Sequence, residues 1–150
     1  MTDQTSQLYK SEAFLRKPPY LFRFEDWLAA QIWIDKAVSS AFWRKHSSLR
    51  RVYLVPNKYD KKKWMTGGVP VDGRRVGVIS HPRRTSLRPR LDAVQHELVH
   101  VALGHTEEIT NAESHGPDFA RLDLAFVRHF FGKEAEAELK ARFLKWGVEF

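Results

Sequence analysis

From Leu91 to about Leu103 the chain reads as one helix with two chemically opposed faces. At 100° per residue, Leu91, Val94, Leu98, Val101 and Ala102 fall within an arc of about 100° and form a face that must be buried. His96, Glu97 and His100 lie on the other side, and Gly104 supplies the residue type that ends a helix. Whatever this chain folds into must cover one face of the helix and keep two imidazoles available on the other.

The segments around it set the fold class. Phe24 to His46 has apolar residues at Trp27, Ile34, Val38 and Ala41, which predicts an amphipathic helix with Glu25 and Asp26 in its first turn. RVYLVP (51 to 56) and RRVGVIS (74 to 80) are β-branched runs, and 62 to 66 reads as a third strand. TGGVPVDG (66 to 73) is turn chemistry, which predicts a loop or hairpin. Gly116 and Pro117 open a further helix with Phe119, Leu122, Phe126 and Phe130 on one stripe, and after Gly132 a last helix carries Leu139, Phe143 and Trp146. One helix, a few strands and three helices predict an α+β fold with a small, mostly antiparallel sheet packed with N-terminal, metal-binding and C-terminal helices. A length of 150 residues predicts one domain spanning 1 to 150, with 1 to 20 as a loosely structured N-terminal arm.

Composition narrows the chemistry. With 43% apolar and 13% aromatic residues the chain has material for a core. It has no cysteine, which removes disulfides, thiolate zinc sites, iron–sulfur clusters and thiol nucleophiles together. A metal here must be held by histidine, carboxylate or water. No apolar run approaches the ~20 residues of a membrane-spanning helix, so a soluble cytoplasmic protein with no membrane partner is expected.

His96, Glu97 and His100 form H-E-x-x-H. Residues four apart on a helix stand about 40° apart and one turn along, so both imidazoles reach one ion, while Glu97 is placed to touch a metal-bound water. Catalytic zinc takes three protein ligands and keeps a fourth position for water. The third is open among His105, Glu107, Glu108, Glu113 and His115. His105 needs a sharp chain reversal after Gly104 to reach the ion. His115 is better placed, because fifteen residues separate it from His100 and Gly116-Pro117 fixes its backbone at the mouth of the next helix.

HELVH followed by HGPDF resembles the SprT-like zinc metallopeptidases, the group that includes the Spartan DNA–protein crosslink proteases. LYKSE (8 to 12), HGPDF and the tail FFGKEAEAELKARFLKWGVEF also resemble a group of small, functionally uncharacterised metallohydrolase-type proteins of bacteria and their phages. The resemblance implies a minimal zincin-like domain and one Zn2+ per chain on His96, His100 and His115, with Glu97 as catalytic acid/base. It implies hydrolysis of a protein or peptide substrate, in the bacterial cytoplasm or in that of the host for a phage-encoded chain. Asp118 stands where glutamate is commoner in that motif.

Beyond the three ligands and the base, His105 and Asp118 are candidates for accessory roles, Asp118 as a partner for a histidine N–H. The oxyanion donor is open among Tyr53, Tyr59, His105 and the upstream arginines. The strand RRVGVIS, which precedes the metal helix, is a candidate for pairing with an extended peptide, Gly77 allowing close approach of a backbone; the plainer expectation is a core strand with a bulge. Residues 61 to 90 carry nine basic side chains against one acid, within a chain of net charge +7. That makes Lys61, Lys62, Lys63, Trp64, Arg83 and Arg84 candidates for nucleic-acid contact. The alternative to an enzyme is a nucleic-acid-associated or host-factor-binding protein whose zinc site is structural and turns nothing over.

Overall fold

The computed structural model of the protein describes residues 2 to 58, 63 to 82, 88 to 105 and 110 to 150. The chain divides into two compact units, residues 23 to 108 and residues 1 to 22 with 109 to 150. Among the described residues the fold is α+β, as expected, with seven α-helices and a three-stranded sheet.

In the unit of residues 23 to 108, Asp26 caps a helix over Trp27–Val38 by accepting the Ala29 N–H at 2.8 Å. The single helix expected to reach His46 is two. Ser39 and Ser40 break it, and Ser40 caps a short helix over Ala41–Arg44 by accepting the Trp43 N–H at 3.2 Å. Serine hydroxyls compete for backbone groups and so favour caps over helix interiors.

The strands are β1 (Val52–Pro56), β2 (Met65–Val71) and β3 (Arg74–His81), in the order β1-β3-β2. Two expectations are corrected here. The sheet is mixed, since β1 runs parallel to β3 and β2 antiparallel to it. The glycine-rich stretch is a strand: Gly67, Gly68 and Pro70 all pair with β3 in regular register. Pro70 fits because β2 lies at the sheet edge, where no second ladder needs its missing N–H. Asp72 (φ 49°) and Gly73 (φ 76°) form the two-residue turn that joins β2 to β3, with the positive φ at both positions that such tight hairpins need. The outer edge of β1 is covered by the Trp27–Val38 helix, where the Gln31 side chain donates to Val52 O at 2.9 Å and accepts from Leu54 N at 2.7 Å. One amide thus satisfies two backbone groups that would otherwise be open to another chain.

The next helix, Leu91–Ala102, lies on this sheet. Val94, Leu98 and Val101 are buried as its apolar face requires. Gly77 is the point of closest approach: a β-carbon there would lie 2.8 Å from Val101 Cγ1 and 3.1 Å from Val52 Cγ2. That explains the glycine and overturns both expectations for it. β3 is the central strand, paired on both sides, so an added peptide cannot use it, and its register runs through Gly77 without a bulge.

In the other unit, the first twenty residues are not a loose arm. Thr5–Glu12 is a helix followed by a 3-10 turn over Ala13–Arg16, and Leu8 and Leu15 are buried. The Gln4 amide donates to Glu149 O at 3.1 Å and accepts from Glu149 N at 2.8 Å, tying the two ends of the chain together. Helices over Pro117–Phe131 and Lys133–Trp146 pack on each other, and the second also packs on Thr5–Glu12. Phe126, Val127, Leu139 and Phe143 are buried within them, whereas Trp146, expected on the apolar stripe, is exposed. A short helix over Asn111–Ser114 opens with a reciprocal cap: Glu113 accepts from Thr110 N at 3.0 Å, and Thr110 Oγ1 accepts from Glu113 N at 3.2 Å. Among the described residues no helix is long and apolar enough to cross a membrane.

Candidate metal centre

His96 and His100 sit on the polar face of the Leu91–Ala102 helix, both buried, their rings 5.0 Å apart between centroids. Glu97 stands between them in sequence. The residue is half-buried, and burial raises its pKa to about 7, against the opposing pull of His96.

The end of this helix does what the sequence demanded of His105. His105 N–H donates to His100 O at 2.9 Å and Gly104 N–H to Val101 O at 3.0 Å, with Gly104 left-handed at φ 72°. These are the paired bonds of a Schellman cap. The reversal returns the His105 ring to the helix it has just left, and its Nδ1 lies 2.9 Å from His100 Nδ1. One of the two nitrogens must carry the proton; with it on His100 Nδ1, the Nε2 of His100 bears the lone pair a metal needs.

His115 is buried between the Asn111–Ser114 helix and Gly116, the N-cap of the Pro117–Phe131 helix. Its Nδ1 lies 3.0 Å from Ser114 Oγ and 3.3 Å from Thr5 Oγ1. Tyr9 Oη is 3.4 Å from its Nε2.

His96, His100 and His115 each offer a ring nitrogen, and the three nitrogens lie within 4.8 Å of one another. Three buried histidines this close can hold a metal ion. A donor set of histidines with no thiolate is of the kind that zinc, copper, iron and nickel accept.

Other candidates fall outside this group. Asp118 is exposed and bonds Arg121 at 3.2 Å, so it is a helix-start residue and not a histidine partner. Glu113 is held in the cap at Thr110, whose backbone and side-chain hydrogen bonds pull its pKa down. Tyr53 projects to solvent from β1. Lys63 is exposed, and Trp64 packs on Trp27 with ring centroids 5.9 Å apart. Lys61, Lys62, Arg83, Arg84, Tyr59, Glu107 and Glu108 lie outside the described residues. Tyr9 and Thr5, both against His115, are the site residues that the sequence reading misses; the LYKSE segment holds the first of them.

Comparison of the chain with protein-family models, with curated proteins and with solved structures gives no match.

Proposed function

We propose that the protein is a zinc-dependent metallohydrolase of SprT-like zincin type that cleaves peptide bonds. The observation that carries this reading is the cluster of three buried histidines with Glu97 on the same helix as two of them. A purely structural metal has no use for a carboxylate beside an open coordination position. Zinc bound there would supply a water made far more acidic than bulk water, ionising near neutral pH, and a Lewis acid for the scissile carbonyl.

The chain's own residues do the rest. Glu97 takes the proton of the attacking water and returns it to the leaving amine. His105 Nδ1 contacts His100 Nδ1 and Ser114 Oγ contacts His115 Nδ1, contacts of the kind that orient a ligating imidazole and favour its other nitrogen for the metal. The test is Glu97→Gln. Loss of hydrolysis of fluorescent casein, with zinc content and melting temperature unchanged, supports catalysis. A wild-type protein that holds zinc and cleaves nothing would move the reading to a structural metal.

Nucleic-acid association is a second reading with its own observation. Arg23, Trp27, Trp64, Arg88 and Arg90 line one cleft in the unit of residues 23 to 108, offering stacking surfaces beside guanidinium groups. Binding of a fluorescent oligothymidylate, weakened by Trp64→Ala and by added salt, is the outcome this reading requires.

A further inference from the structure

Arg23 and Arg90 face each other across an isolated antiparallel bridge in the unit of residues 23 to 108, beside which Phe24 N–H donates to Pro89 O at 2.8 Å. Directly opposed residues of such a pair put their side chains on one face, with β-carbons about 5 Å apart. Arg88 joins them: the proline that follows it disfavours a helical backbone there, and all three arginines line one cleft with Trp27 and Trp64. Like charges in opposed positions weaken a strand pair. The pairing costs stability that an anion among the guanidinium groups would return.

The groups around the arginines position them more than they neutralise them. Arg23 Nη1 donates to Arg88 O at 3.0 Å, and Arg90 Nε donates to the buried Asp92 carboxylate at 3.1 Å. Two of the three guanidinium forks are thus held in place before any ligand arrives, which lowers the entropy cost of binding. Glu25 lies 3.8 Å from Arg88, but both side chains are exposed, and such a pair contributes little.

The cleft holds about 150 Å³, well below the ~300 Å³ at which small-molecule pockets begin. It has room for one anionic group and not for a whole cofactor. Its two indoles form no slot for a base, because Trp27 is stacked on His81 at 3.7 Å and Trp64 leans on Trp27 at 58° with centroids 5.9 Å apart. A carboxylate has two oxygens, which a single arginine fork satisfies. Three forks suit an anion with more acceptor oxygens, and phosphate is the one that guanidinium geometry also matches.

We propose that this cleft is a phosphate-binding site, Arg23, Arg88 and Arg90 donating to the oxygens of one phosphoryl group while the indoles wall it on the apolar side. The inference does not depend on the metal. It narrows the nucleic-acid reading to the group that every nucleotide brings, and a free phosphate ester brings the same group.

Binding to the full chain is measured by calorimetry with inorganic phosphate, acetate, thymidine, thymidine monophosphate and oligothymidylate. Phosphate should bind at least tenfold more tightly than acetate, and Arg23→Gln should weaken it about tenfold. Arg88→Gln, which alters an exposed side chain, should weaken it similarly without lowering the melting temperature. Thymidine monophosphate should follow phosphate, and thymidine should not bind. Oligothymidylate that binds more tightly than the monophosphate supports the site with a nucleic-acid backbone as its source; equal or weaker binding supports it with a free phosphate ester. Phosphate affinity no better than that of acetate, or unchanged in either variant, overturns the proposal. Oligothymidylate binding that Trp64→Ala abolishes and the arginine variants leave intact overturns the phosphate site while the nucleic-acid reading stands.

Discussion

His105 Nδ1 stands 2.9 Å from His100 Nδ1, and a left-handed glycine is the reason. The Schellman cap at Gly104 turns the chain back so that the second residue past the C-cap buttresses a metal-ligand candidate within the helix. Carboxylates and carbonyls commonly play this part behind a ligating histidine; here an imidazole does. His105→Ala should weaken zinc binding by about 10- to 100-fold while leaving the metal-free melting temperature nearly unchanged, as read by chelator competition and thermal scans. Equal zinc affinity in wild type and variant would mean that the contact does not orient His100.

Gly77 gives a prediction about packing beneath the site. A β-carbon placed there would lie 2.8 Å from Val101 Cγ1, on the helix that carries both histidines. β-Branched side chains have little rotamer freedom with which to withdraw. Gly77→Ala should therefore cost ~1–3 kcal/mol in urea denaturation. Adding Val101→Ala should recover part of that loss, so that the double variant is more stable than the sum of the single changes predicts. Strict additivity would show that the helix simply shifts.

What the sequence makes legible depends on whether a local rule decides the outcome. The Leu91–Ala102 helix and its stop follow from apolar spacing and from Gly104, and the helix start at Pro117 follows from Gly116-Pro117. β2 is illegible because Gly67, Gly68 and Pro70 carry turn chemistry, and only its place at the sheet edge makes them acceptable as strand residues. The break at Ser40 escapes notice because the apolar period continues through it. Tyr9 escapes for a different reason. Its contact with His115 joins residues 106 apart in sequence, and no periodicity encodes a meeting that only tertiary packing creates. His105 is intermediate: the sequence states the condition, a sharp reversal, and Gly104 fulfils it.

His81 ties stability to pH. The imidazole is buried and stacked on Trp27 at 3.7 Å and 10°, and burial lowers its pKa below the ordinary value of 6.5, only partly offset by the Pro82 carbonyl. The unfolded chain therefore binds more protons than the folded one between the lowered value and 6.5. Stability from this group is full above about pH 6.5 and is lost as pH falls through the folded-state pKa. Melting temperatures from pH 8 down to pH 5 should fall on the acid side. His81→Phe, which keeps a ring on Trp27 and cannot be charged, should flatten that fall. An identical acid limb in the variant would assign the effect to other groups.

Metal removal separates the site from the fold. A ligand that binds only the native state stabilises it by RT ln(1 + [L]/Kd), about 2.7 kcal/mol at a hundredfold excess of free ligand over Kd. Zinc should therefore raise the melting temperature of the wild type, and a chelator should reverse the rise. His115→Ala removes one of the three nitrogens and also a contact made by each of Ser114 and Thr5, so its metal-free stability need not equal that of the wild type. Comparing each protein with its own chelated form cancels that difference. The zinc-dependent increment should be large in the wild type and nearly absent in His115→Ala, with native mass spectrometry showing one zinc per chain in the first and none in the second. A variant that keeps the full increment would restrict the metal to His96 and His100 and leave the three-histidine centre without its third ligand.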